Sequence, residues 1–103
     1  MINVKVKQTS TYMSLRISGH ANMGEYGEDI VCSAVSCLCF SIANQLLLLD
    51  ADLDISVLDN DFKFNEINLN HDNKLLLDTL LNGLFNIMEE YPQAIKIMEV
   101  EAC

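Results

Sequence analysis

Apolar and polar residues alternate with period two over Ile2-Asn3-Val4-Lys5-Val6-Lys7, which predicts a strand with one covered face. A polar cluster, Gln8 to Thr11, reads as a turn. Alternation resumes from Tyr12 to Ser18, with Met13, Leu15 and Ile17 opposite Tyr12, Ser14, Arg16 and Ser18. The two runs predict an antiparallel hairpin whose second strand leads directly into Gly19-His20. Ala21 to Gly27 holds two of the four glycines and no apolar period, and it is expected to be a mobile loop.

From Asp29 to about Leu49 the period changes. Ile30, Val31, Ala34, Val35, Leu38, Cys39, Ile42, Ala43, Leu46 and Leu47 recur at intervals of three and four, with Phe40 and Leu49 widening the stripe. That pattern predicts a helix buried on most sides, with Asp29 as a candidate N-cap and Cys32 at the third helical position. Leu53 to Leu58 and Phe62 to Leu69 read as two strands joined by the turn triplet Asp59-Asn60-Asp61. Asn70 to Asn73 is a polar break in which Asn70 or Asp72 caps a second amphipathic helix, Leu75 to Tyr91. Pro92 limits that helix, and Ile95 to Val100 alternates loosely as a final strand. The order β-β-α-β-β-α-β predicts a single α+β domain over residues 1–103, two helices packed on one largely antiparallel sheet.

Size and composition fit that plan. A chain of 103 residues holds one core, and 50% hydrophobic residues make that core feasible. Neither a membrane-spanning run nor a signal-peptide core is expected, so the expected location is the cytoplasm. Cys32, Cys37 and Cys39 crowd one predicted helix, as reduced thiols rather than a disulfide scaffold. Cys37 and Cys39 point to different sides of that helix, with no His at ligand spacing, so no metal and no cofactor is expected. The formal charge is −9, and no Lys or Arg lies between Arg16 and Lys63, which argues against direct nucleic-acid recognition. An acidic face would attract a basic protein, although ordinary solubility chemistry is the simpler account of the charge.

Candidate chemistry centres on Cys32. In the first turn of a helix, free N–H groups and the macrodipole favour a thiolate and offer an oxyanion hole. The competing reading is a packing cysteine, because free cysteines are among the most buried residues. His20, at the end of the hairpin, is the natural general base for that thiol. Asp29 either caps the helix or orients His20, and its charge, with Glu25 and Glu28, opposes thiolate formation at Cys32. Ser36 lies one helical turn after Cys32, either near the site or bonded to its own helix backbone. His71 sits in the polar break and is given no catalytic role.

Taken together, Gly19-His20-Ala21 followed by Asp29-Ile30-Val31-Cys32-Ser33-Ala34-Val35-Ser36 resembles the Prp family of bacterial ribosomal-processing cysteine proteases. The likeness extends to length and element order, although the specific motifs lie within positions 19 to 36. It implies Cys32 as nucleophile and His20 as base, Asp29 and Ser36 as supporting residues, and Gly19 as the hinge of a substrate-closing loop. Ala21, Asn22, Gly24 and Gly27 fall in that loop. It also implies a homodimer that removes an N-terminal extension from a large-subunit ribosomal protein, a basic substrate that the acidic stretch would suit. Ser33 stands where alanine is common in the family, and Cys37 and Cys39 are unusual additions. The alternative of a different class is a non-catalytic, acidic, dimeric module that grips a basic ribosomal protein without cutting it.

Overall fold

The computed structural model describes residues 1–19, 24–59 and 61–101. Five strands and two helices follow one another as β1 (Ile2–Gln8), β2 (Tyr12–Gly19), α1 (Gly24–Leu49), β3 (Asp54–Leu58), β4 (Asp61–Asn68), α2 (His71–Glu90) and β5 (Ile95–Glu101). The strands form one sheet in the order β3-β4-β2-β1-β5. Every neighbouring pair is antiparallel except β1 and β5, where Ile2 aligns with Ile95 and Gln8 with Glu101 in parallel. The expected α+β domain with two helices on a largely antiparallel sheet is the observed architecture, with a mixed sheet.

The alternation read from the sequence becomes the two faces of this sheet. Ile2, Val4, Val6, Met13, Leu15, Ile17, Phe62, Phe64 and Ile67 point to one side and are buried. Val31, Val35, Cys39, Ile42, Ala43 and Leu46 of α1 and Leu77, Leu80 and Leu84 of α2 cover them. The helices meet closely at Gly83, where a Cβ would collide with the Leu38 side chain. One irregularity breaks the ladder: Met13 pairs with Ile67 but Leu15 pairs with Phe64. Glu66 takes up the extra residue at φ 47°, and its N–H donates to Ser14 Oγ at 2.8 Å.

The second helix begins where the polar break ends. Asn70 caps it, its side-chain oxygen accepting from the Asn73 N–H at 2.8 Å, so α2 starts four residues before the Leu75 expected from apolar period alone. Asn73 is itself buried and donates back to the Asn68 carbonyl at 3.0 Å.

The first helix differs from expectation at its start, its outer face and its length. It starts at Gly24, so Gly24 to Gly27 lie in helix rather than loop, and Asp29 is its sixth residue rather than its cap. Of the acidic residues here only Glu25 falls in the first turn, where negative charge complements the positive end of the helix dipole. Nor is α1 buried on most sides. A one-layer sheet covers one flank, and Ile30, Ala34, Cys37, Ser41 and Leu48 remain exposed. The 20-residue stretch Ile30–Leu49 is also long and apolar enough to cross a membrane, contrary to the expectation of no such run. Its inner stripe is the core of this domain, which accounts for that composition without a bilayer.

Candidate active site

Cys32 sits on the flank of α1 that leans toward β2 and β4. It is half-buried, between the fully buried Val31 and the exposed Ser33. Together with Val35 and Ser36 it walls a narrow crevice whose other side is Ile2, Ile17, Gly19 and Phe62. The crevice holds about 10 Å³, room for roughly one water molecule. Ser36, one turn after Cys32, therefore faces the same space, as its spacing suggested. Ile2, Ile17 and Phe62 were not singled out from sequence. Their apolar-face parity marks them as core, and only the strand order brings them beside Cys32.

Gly19 closes β2 at this crevice with φ +98°, a conformation that L side chains rarely adopt. A Cβ there would stand 2.5 Å from the Met1 carbonyl oxygen. Glycine is thus required twice, by backbone conformation and by the close approach of the neighbouring strand. One peptide bond beyond Gly19 comes His20, which with Ala21 and Asn22 lies outside the described residues. The described residues bring Cys32, Ser36 and Gly19 together.

The helix start at Gly24 changes the electrostatics expected at Cys32. As the ninth residue of α1 it lies beyond the first turn, where N–H groups are taken up by helix hydrogen bonds. The helix terminus expected at Cys32 therefore lies about two turns before it in this conformation. The other thiols separate clearly. Cys39 is fully buried, and loss of solvation pushes its thiol up to about 12. Cys37 is exposed on the outer flank. Cys103 lies outside the described residues. His71 is an exposed first residue of α2, 3.2 Å from Asp72, remote from Cys32 in the fold. Among the described residues no group of three or more His, Cys, Asp or Glu side chains is arranged to hold a metal ion.

The model of the family "Cysteine protease Prp" matches residues 1–96. The chain belongs to that family. The ribosomal processing cysteine protease Prp of Staphylococcus aureus is 33% identical over 100 residues, spanning 93% of this chain and 94% of the relative. Prp of Bacillus subtilis is 38% identical over a shorter 37 residues, 36% of this chain and 33% of its own length. The crystal structure of an essential ribosomal processing protease Prp from S. aureus, with a covalently linked product peptide, superposes with a TM-score of 0.82. Its sequence identity is 31%, over 97% of this chain and 100% of that one. A second S. aureus Prp structure, with a substrate peptide, gives a TM-score of 0.83 at 31% identity and the same coverage. Membership in the Prp family makes the chain a cysteine protease and sets aside the non-catalytic module.

Proposed function

We propose that this protease removes a short N-terminal extension from a large-subunit ribosomal protein, with Cys32 as nucleophile and His20 as its base. The observation that carries this reading is the crevice itself. Cys32 lines it half-exposed, and β2 delivers the chain to it at Gly19, the residue before His20. The names of the S. aureus relatives, ribosomal processing proteases with bound peptides, support the substrate class.

In the proposed reaction the Cys32 thiol gives its proton to His20, and the thiolate attacks the scissile carbonyl. His20 then protonates the departing amine, and water hydrolyses the thioester to free the new carboxylate and regenerate the thiol. Ser36 supports the nucleophile from the next turn, and Asp29 orients His20. Residues 21–27 face the substrate, with Gly19 as their hinge. Gly24 and Gly27 each weaken the first turns of α1 by about 1 kcal/mol relative to alanine. Unwinding those turns around a bound peptide places Cys32 at the helix start, where freed N–H groups meet the oxyanion. Hydrogen exchange over residues 24–28 is then faster with peptide bound to the Cys32→Ala variant than without it. Slower exchange sinks the unwinding step.

The enzyme acts as a homodimer in the cytoplasm. Ile30, Ala34, Cys37, Ser41, Asn44 and Leu48 of α1 are exposed at spacings of four and three, an uncharged seam suited to a second copy of α1. Sedimentation of wild type as a dimer and of Leu48→Asp as a monomer is the expected pair of results. The decisive test of the function is a peptide spanning the ribosomal protein's N-terminal extension, with products read by mass spectrometry. Wild type makes one cut, and Cys32→Ala and His20→Ala make none. A cut retained by either variant removes that residue from the mechanism.

A further inference from the structure

The helices cover one face of the sheet, and among the described residues no element covers the other. On the open face the register aligns Lys63 with Arg16 and Arg16 with Lys5, three cations in adjacent strands along one row. Lys7 lies on the next row of β1, and Lys96, aligned with Asn3, on β5. Five of the six Lys and Arg residues of a chain with net charge −9 therefore share one surface. The sixth, Lys74, is on α2 and ion-paired with Asp78 at 2.7 Å. Facing like charges across strands is destabilising, so this row weakens the sheet that carries it. Its acidic neighbours lie at the β3–β4 margin. Asp61 binds Arg16 through two hydrogen bonds of 3.2 and 3.0 Å, and Asp54 faces Asn65. The described open-face positions of β1 and β2 carry no carboxylate.

We propose that this open sheet face binds the phosphate backbone of RNA. Its centre forms a shallow trough of about 330 Å³ lined by Lys5, Lys7, Ser14, Arg16, Lys63 and Asn65. A protein partner is the poorer match. Protein interfaces bury an apolar centre and are depleted in lysine there, whereas this centre is three cations with Val100 at its edge. A second copy of the chain meeting this face by two-fold symmetry would set cation against cation. A lipid surface would call for apolar side chains that insert, which the centre lacks. Spaced phosphates in water fit the row of cations; Tyr12, the aromatic on this face of β2, stands at the strand's far end from Arg16 and outside the trough lining, which favours a duplex over stacked single strands. The choice of RNA among polyanions rests on the ribosomal-processing reading above. On that reading the face holds the protease against the RNA surrounding its substrate.

The expectation from sequence was the opposite, because these cations are scattered along the chain at positions 5, 7, 16, 63 and 96. The strand order gathers them.

The test is fluorescence anisotropy of a labelled RNA hairpin with a stem of roughly 16 base pairs. Intact wild-type protein is titrated as salt rises from about 50 to 200 mM. With Arg16 partly neutralised by Asp61, four free cations give a slope of about −3.5 in log K against log salt. Lys5→Gln and Lys63→Gln each weaken binding about tenfold near 0.1 M salt and reduce that slope by about one. Lys74→Gln changes neither. No RNA binding at the lowest salt overturns the proposal. So does an equal loss in Lys74→Gln, or tighter binding of polyglutamate than of the hairpin. Cleavage of the short extension peptide is followed on the same samples. Unchanged cleavage in Lys5→Gln and Lys63→Gln, with RNA binding lost, supports the proposal. Peptide cleavage absent from the wild type defeats the processing reading separately, whatever the anisotropy shows.

Discussion

Cys32 and Cys39 stand two turns apart on the same helix and have opposite fates. Cys39 points into the sheet, is shut off from water, and holds its proton up to about 12. Cys32 is rotated toward the gap where β2 ends at Gly19 and is half-exposed in a crevice. Residue type is identical, and helix position differs by two turns at 3.6 residues per turn. What separates a packing thiol from a candidate nucleophile is therefore the edge of the sheet beneath the helix. The lesson is that a cysteine's chemistry is set by which strand end lies under it.

The contrast is broken most severely by exchanging the roles. Cys32→Ala is expected to lower peptide cleavage by at least about a thousandfold, because it removes the only thiol lining the crevice among the described residues and leaves Ser36 Oγ, a far weaker nucleophile at neutral pH. Cys39→Ala is expected to leave kcat within a small factor, since its sulfur contacts only core. A large loss of turnover in a folded Cys39→Ala protein would erase the distinction.

Alkaline pH sharpens the same comparison through stability. The folded thiol of Cys39 is raised to about 12 from an ordinary value of 9.0, so the unfolded chain releases that proton first. Its contribution is complete below pH 9 and is lost as pH rises toward 12, at about 1.4 kcal/mol per pH unit. Denaturant melts of wild type and Cys39→Ala at pH 8, 9, 10 and 11, each within the reversible range, should draw together above pH 9 and change order by pH 11. Parallel curves would mean that Cys39 is not shut off from water.

Gly19 comes next, because the crevice depends on it. Gly19→Val forces a β-branched residue to φ +98° with its Cβ 2.5 Å from the Met1 carbonyl. The backbone strain alone is about 1–3 kcal/mol. A hinge read from sequence predicts lost turnover in an intact fold, whereas the structure predicts lost turnover and a lowered Tm together. Thermal melts beside kinetics decide between them.

Much of this architecture was legible in the chain because a one-layer sheet writes its two faces directly into alternating residues. Ile2, Val4 and Val6 against Lys5 and Lys7 is such a case, and Asn70 announced α2 by the chemistry of capping. The start of α1 was not legible: Gly24 and Gly27 suggest a loop while Glu25 suits a first turn, and these local preferences oppose each other. Cys32 and Ser36 could be paired by helical spacing, and Gly19 joined them only through the fold. The parallel contact of β1 with β5 was hidden as well, since no short-range signal records which strands pair across ninety residues of chain. The cationic face depends on that same strand order, so it was invisible for the same reason.

The third cysteine of α1 gives the finest distinction. Cys37 lies between Cys32 and Cys39 in sequence but faces outward, within the seam proposed to meet a second copy. It contributes no core packing, so Cys37→Ser should change stability by less than about 0.5 kcal/mol, against a loss of about 1–2 kcal/mol for Cys39→Ala. Iodoacetamide near neutral pH should reach Cys32 at every protein concentration and leave Cys39 untouched. Labelling of Cys37 should slow as concentration rises, because dimer formation covers the outer seam. In Leu48→Asp that dependence should vanish while Cys32 labelling stays the same. Three thiols on one helix would then report three surroundings: a crevice at the sheet's edge, the core above its centre, and the face turned away from it.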